Sequence, residues 1–524
     1  MDQRVIDAAR AAFPAGPPAA TLGAVVHEGE CHPEPVVRLP LAMLNRHGLI
    51  AGATGTGKTK TLQLLAEQIC AAGVPVFLAD VKGDLSGLAV PGEGGERVTS
   101  RARDTGFTWK PSGTPVELLS LTGKRGAQLR ATVGSFGPTL LAKVLGLNDT
   151  QTSVLTMIFK LCDDRDLELY DFADLRAVIQ YLAGDGAELL ESYGGMSKAT
   201  VGVLLRELVE LEMQGALAFF GEPELEIEDL LQIDRDGRGV VSVLELTDVQ
   251  DKPALFSTFL MWLLARLYGE LPEVGDLDKP KLVFFFDEAH LLFDGASKAF
   301  VDQVQQVVRL IRSKGVGIFF ITQSPKDIPG DILGQLGHRV QHALRAFTPD
   351  DEKALNAAAR TFAKTEFYDV PETLTTLGIG EALVSVLAPN GVPTPPFATR
   401  LVPPGSRMGP LTEGEIAPRL ATPMVRKYAT AIDRESAREK LAAEAARAAA
   451  PAAAPAPTPQ QGPPPSAEPR RSGGRAPAAP RPEPDRLEQI MKSPVAKAVA
   501  TTVVRGVMGA LFGTPSRRRR KSLW

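Results

Sequence analysis

The chain has 524 residues, of which 44% are hydrophobic and 23% charged, with a formal net charge of −4; this is the composition of a folded globular protein with room for roughly two to four domains. Cys31, Cys70 and Cys162 stand far apart with no second ligand at metal spacing, which argues against a disulfide framework or a zinc site. Eight basic side chains and no acidic one lie beyond Met491, which leaves −12 on residues 1–490. The acidic body gives no global electrostatic support for nucleic-acid binding, so any such contact has to come from a local surface.

Residues 1–14 have scattered charges and no continuous apolar core, so they do not read as a signal peptide. Short apolar runs at 22–26 and 36–39, punctuated by Gly and Pro, suit strands or an edge hairpin leading into the main domain. A strand–loop–helix–strand series follows: 48–51, a Gly-rich loop, a helix over 58–72 and a strand over 74–79, together a βαβ unit. After a short strand near 116–119 the periodicity turns helical, at 139–147, 151–161, 175–182 and 200–213. The α/β pattern resumes with a strand at 239–244, a helix over 253–268, a strand at 282–286, a helix over 297–314 and a strand at 317–322. Strands that are apolar at nearly every position are buried on both faces, as in a parallel sheet sandwiched by helices.

From Ala442 to Pro484 the sequence collapses to Ala, Pro, Gly, Gln and Arg, a composition that cannot bury enough apolar surface to offset chain entropy. The chain divides into a strand-rich start (1–40), a first part of the α/β core (41–96), a mostly helical insertion (97–236), a second part of the core (237–430), a disordered linker (431–484) and a basic tail (485–524). The best apolar candidate for a membrane span, Val503–Phe512, is too short and is interrupted by Arg505, Gly506 and Gly509. A cytoplasmic location is expected.

The strongest chemical signal is Gly52-Ala53-Thr54-Gly55-Thr56-Gly57-Lys58-Thr59, a full G-x-x-x-x-G-K-T match between an expected strand and an expected helix. Its glycines let backbone amides turn inward around a phosphate at a helix N-terminus. Lys58 suits the β and γ phosphates of ATP, and the Thr59 hydroxyl suits Mg²⁺. The second signal is the apolar strand 282–286 followed by Asp287 and Glu288: Asp287 suits the metal, and Glu288 is placed to polarise an attacking water. Gln323, at the tip of the next strand, is a candidate γ-phosphate sensor. Arg312, just before that strand, could reach a nucleotide held by a neighbouring subunit, or it could be a solvated cation facing the helix dipole; Arg309 and Arg345 are alternatives. Asp80, in Asp80-Val-Lys82-Gly-Asp84, either assists the metal or water or belongs to a charged turn. His47 and His290 receive no catalytic role.

Asn45–Thr59, Asp80–Gly87, Lys281–Phe293, Val307–Gly317 and Gly334–Pro349 together resemble the bacterial HerA-like ATPases of the HerA/FtsK group, in blocks from about residue 20 to residue 412. The resemblance implies a RecA-like core with an additional strand between the two motif strands, ATP with Mg²⁺, a hexameric ring and translocation along double-stranded DNA. It carries over Lys58 and Thr59 as phosphate and metal residues, Glu288 as the catalytic glutamate and Arg312 as the arginine finger. DNA-translocating HerA proteins have an N-terminal β-barrel domain, whereas about 50 residues precede the loop here. The helical insertion prevents transfer of pore-loop residues, and His338 stands where related sequences are expected to have Asn.

A competing reading is a nucleotide-driven assembly or scaffold ATPase acting on protein partners through the helical insertion and the basic tail. The tail alone could also be an anion-seeking end that meets a membrane surface or RNA.

Overall fold

The computed structural model describes residues 3–449 apart from Ser192 and Gly295. Twelve strands build one sheet. In chain order they are β1 (Ala19–His27), β2 (Glu30–Pro40), β3 (Gly48–Ala51), β4 (Val76–Asp80), β5 (Val116–Ser120), β6 (Ala127–Gln128), β7 (Val241–Glu245), β8 (Leu282–Phe286), β9 (Val316–Thr322), β10 (His338–His342), β11 (Glu381–Ser385) and β12 (Phe397–Leu401). Their spatial order is β2-β1-β12-β11-β10-β3-β9-β8-β4-β7-β5-β6. From β10 to β6 every pairing is parallel; β11, β12, β1 and β2 extend the sheet antiparallel.

The apolar runs are explained by burial on both faces. Leu282, Phe284 and Phe286 of β8 pack into the core on one side, with the helices Pro253–Glu270 and Lys298–Leu310. Val283 and Phe285 pack into the core on the other side, with the helix Lys58–Ala71. Alternation along a strand sends successive side chains to opposite faces. Helices on both sides of the parallel part leave no solvent face and hence no polar alternation.

The register sets the position of the site. Ala51 of β3 pairs with Thr322 of β9, and Phe320 of β9 pairs with Phe286 of β8, so the residues following β3, β8 and β9 meet at one carboxyl edge. Ligands bind in that crevice in open α/β sheets.

Residues 97–236 contain five α-helices from Val133 to Met213, and also β5 and β6, which lie in the main sheet with β5 paired to β7. The early apolar runs are β1 and β2, which form an edge hairpin preceded by the helix Gln3–Ala12. The expected disordered linker is corrected at its start: Ala437–Ala449 is a helix, consistent with Ala, Glu, Lys and Arg being strong helix formers. The rest of the linker and the basic tail lie outside the described residues. No helix among the described residues is long and apolar enough to cross a membrane.

Candidate nucleotide site

The loop 52–57 leaves the buried end of β3 and turns directly into the helix Lys58–Ala71. Gly55 and Gly57 have φ values of 78° and 115°, the left-handed region that glycine enters without a Cβ penalty. The Gly52 amide donates to Thr322 O (3.3 Å) and the Ala53 amide to Ala343 O (2.9 Å), tying the loop to the ends of β9 and β10. The amides of Thr54, Gly55 and Gly57 have no acceptor among the described residues, and no side chain caps the helix start. Unsatisfied amides at a helix N-terminus form an anion site. Lys58 is buried, and its Nζ donates to Gly52 O at 2.8 Å and Ala53 O at 3.1 Å. Burial pushes its pKa down, and the charge of Glu288 opposes that.

Asp287 and Glu288 follow β8 and are both buried. Asp287 Oδ1 accepts from the Glu288 amide at 2.9 Å, while Oδ2 has no hydrogen-bond partner among the described residues. Burial, and then the charge of Glu288, push the Asp287 carboxyl up to about 7. A buried carboxylate oxygen without a donor is the chemistry a cation satisfies, so Asp287 fits a metal. The Thr59 hydroxyl, half-buried, has no hydrogen-bond partner among the described residues and fits as a second oxygen ligand. Glu288 has φ 48°, uncommon for a residue with a side chain and frequent at functional sites.

Glu288 Oε1 accepts a hydrogen bond from Lys82 Nζ in an ion pair. Burial works against the Lys82 ammonium, but the hydrogen bond and charge of Glu288 outweigh it and hold its pKa above the ordinary value. Asp80 holds the loop that carries Lys82: its Oδ1 accepts from the Gly83 amide (2.7 Å) and its Oδ2 from the Leu85 amide (2.9 Å). Of the two readings of Asp80, this geometry favours the turn. In the sequence Lys82 is only a member of that turn, and its contact with Glu288 joins residues 206 positions apart. His290 Nδ1 also lies 3.2 Å from Glu288 Oε2, without hydrogen-bond geometry.

Gln323 is exposed at the tip of β9 and, with Ala53 of the loop, lines a cavity of about 660 Å³ that also contains Arg345. The structure therefore brings Lys58, Asp287, Glu288 and Gln323 to one edge. Arg312 is elsewhere: it precedes β9, whose seven residues span roughly 20 Å, and so lies toward the opposite, amino edge of the sheet. His47 is structural. Its ring bridges Val308 O (2.8 Å) and the Ile318 amide (3.0 Å), and burial pushes its pKa down to about 4. His338 is held likewise between Met43 O (2.7 Å) and the Leu387 amide (3.3 Å).

β9 separates the strand that carries the acids from the strand that carries the loop, and this ordering defines the class: a P-loop nucleoside triphosphatase fold with an additional strand. The family described as "Helicase HerA-like C-terminal" matches residues 26–520. The chain belongs to this family. It is 28% identical over 154 residues to a probable helicase of Methanocaldococcus jannaschii, covering 28% of each chain. It is 22% identical over 358 residues to the DNA double-strand break repair helicase HerA of Sulfurisphaera tokodaii, covering 66% of this chain and 64% of that one. The chain thus spans less than two thirds of the length of these relatives. Among solved structures it is similar to the plasmid coupling protein TrwB in complex with ADP and Mg²⁺, at 16% identity and TM-score 0.47, covering 75% of this chain and 91% of that one.

Proposed function

We propose that the protein is a Mg²⁺-dependent ATPase of the HerA type that works as a homo-oligomeric, hexameric ring and couples hydrolysis to translocation on, or remodelling of, double-stranded DNA. The observation that carries the hydrolysis reading is the convergence of the unfilled amides of the loop 52–57 with Asp287 and Glu288 at one sheet edge. The DNA reading rests on family membership and on relatives named as DNA repair helicases.

In this reading the loop amides and Lys58 bind the phosphates, and Lys58 exchanges its contacts to Gly52 O and Ala53 O for phosphate oxygens. Thr59 and Asp287 hold Mg²⁺, which when bound supplies positive charge against the β and γ phosphates. Glu288 orients water and accepts its proton, for which it has to leave Lys82. Gln323 senses the terminal phosphate, and Arg312 serves the nucleotide of a neighbouring copy.

The test is ATP turnover with and without linear duplex DNA while particle mass is recorded. A several-fold rise on DNA in a hexamer supports the translocase. Turnover indifferent to DNA removes the polymer from the proposal and turns the search to protein partners of residues 97–236 and of the tail.

A further inference from the structure

At the amino edge of the sheet lies a second cavity, of about 510 Å³, lined by four arginines from three parts of the chain: Arg46, the neighbouring Arg309 and Arg312, and Arg339. No Asp or Glu is among its lining residues. Arg309 and Arg312 are exposed and have no carboxylate partner among the described residues. Arg46 and Arg339 are half-buried, and each keeps a buried guanidinium nitrogen without an acceptor among the described residues: Nε of Arg46 and Nη1 of Arg339. What they do have is slight. Arg46 Nη2 stands 3.5 Å from Asp276, whose side chain is 93% exposed, and Arg339 Nη2 donates to Leu333 O at 3.4 Å.

Unpaired guanidinium groups crowded round one cavity repel one another, and a buried charged donor without an acceptor is costly. No carboxylate among the described residues lines the cavity to offset this, the exposed Asp276 reaching only Arg46 from outside it, and His47 in the wall has its ring nitrogens engaged by Val308 and Ile318. Planar guanidinium forks match the oxygens of phosphate. We propose that this cavity is a binding site for a phosphate-bearing anion, held by Arg46, Arg309, Arg312 and Arg339, on the edge of the sheet opposite the P-loop. Burial also pushes the Arg339 pKa down, the direction that a bound anion reverses. Binding of a free anion needs only the folded chain and no hydrolysis at the P-loop, whereas binding of an adjoining copy's nucleotide rests on the role proposed above for Arg312 and adds Arg46 and Arg339 to it. The phosphate has two possible sources: a free small anion, or the nucleotide carried by an adjoining copy.

The test uses full-length Lys58→Ala protein, which disables the P-loop, and inorganic tripolyphosphate as the probe in calorimetry at fixed ionic strength. One binding event per chain is expected, weakened about tenfold by Arg339→Met or Arg46→Met, the loss of one charge-assisted hydrogen bond. The double variant Arg309→Met/Arg312→Met alters only exposed side chains and serves if the half-buried ones prove necessary for folding. No binding, or binding indifferent to Arg339→Met and to the double variant, overturns the site. Mixing Lys58→Ala chains with Arg46→Met/Arg339→Met chains then identifies the source. Turnover well above the sum of the separate samples assigns the phosphate to an adjoining copy's nucleotide, and turnover equal to the sum, with tripolyphosphate binding intact, assigns it to a free anion.

Discussion

Replacing Asp287 with Asn should stabilise the metal-free protein, and the gain should depend on pH. The native carboxyl is held at about 7, against 3.8 when unperturbed, by burial and by the charge of Glu288. An acid whose folded pKa is raised keeps in the native state a proton that the unfolded chain has released. Stability therefore falls as pH rises from about 4 to about 7, and the cost is complete above 7. Raising the carboxyl from 3.8 to about 7 costs roughly 4 kcal/mol, at about 1.36 kcal/mol for each tenfold change in proton affinity. Asn is neutral throughout, so the gap between variant and wild type should widen by about 3 kcal/mol between pH 5 and pH 8. At about 2.1 cal/mol/K per residue, a folded body of this size shifts its Tm by about 1 °C per kcal/mol, so about 3 °C of widening is expected. The assay is thermal unfolding in EDTA at both pH values. Adding Glu288→Gln to both proteins should narrow the gap, because it removes the second cause of the raised pKa. A gap equal at pH 5 and pH 8 would mean that Asp287 is ionised in the folded protein at both and that its carboxyl is not raised.

Lys82→Met removes the cation that Glu288 faces; basal turnover should rise at unchanged nucleotide affinity, whereas a fall in turnover would show that Lys82 serves the phosphates itself. Burial holds the His338 pKa down at about 4, so its contribution to stability is complete above the unfolded value of about 6.5 and is lost as pH falls from there toward 4. His338→Asn should flatten the dependence of unfolding free energy on pH in that window by one proton's worth, which denaturant titrations at pH 4.5 and 7 would detect. Gly52→Ala should abolish nucleotide binding measured by fluorescent-nucleotide titration, because the new Cβ would sit 2.5 Å from His342 Cβ on a residue with φ 153°.

The centre of the sheet is legible in the sequence because β3, β4, β7, β8 and β9 are apolar at nearly every position, interrupted only by Asp80, Ser242, Glu245 and Thr322, which is the signature of burial on both faces. The motif residues are legible because each of the two motifs is local in sequence. β10 escapes such a reading, because His338-Arg-Val-Gln-His342 is polar at four of five positions. Its histidines are buried through specific hydrogen bonds, which a hydropathy pattern does not show. β5 reads as a strand but not as a member of the main sheet, since a pairing with β7 across more than a hundred residues leaves no local trace. The same holds for the Lys82–Glu288 pair and for the arginine cavity, which are properties of tertiary placement. In the sequence Arg312 stands out without Arg46 and Arg339, which come from the segments before β3 and within β10.

Joint membership of Lys58 and Glu288 in one hydrolytic site is open to direct test. The direct measurement is steady-state ATP turnover with Mg²⁺ by wild type, Lys58→Ala and Glu288→Gln, with nucleotide binding measured in parallel. A shared site gives turnover in the wild type only, loss of binding in Lys58→Ala, and retained binding without turnover in Glu288→Gln. Turnover undiminished in Glu288→Gln would contradict it.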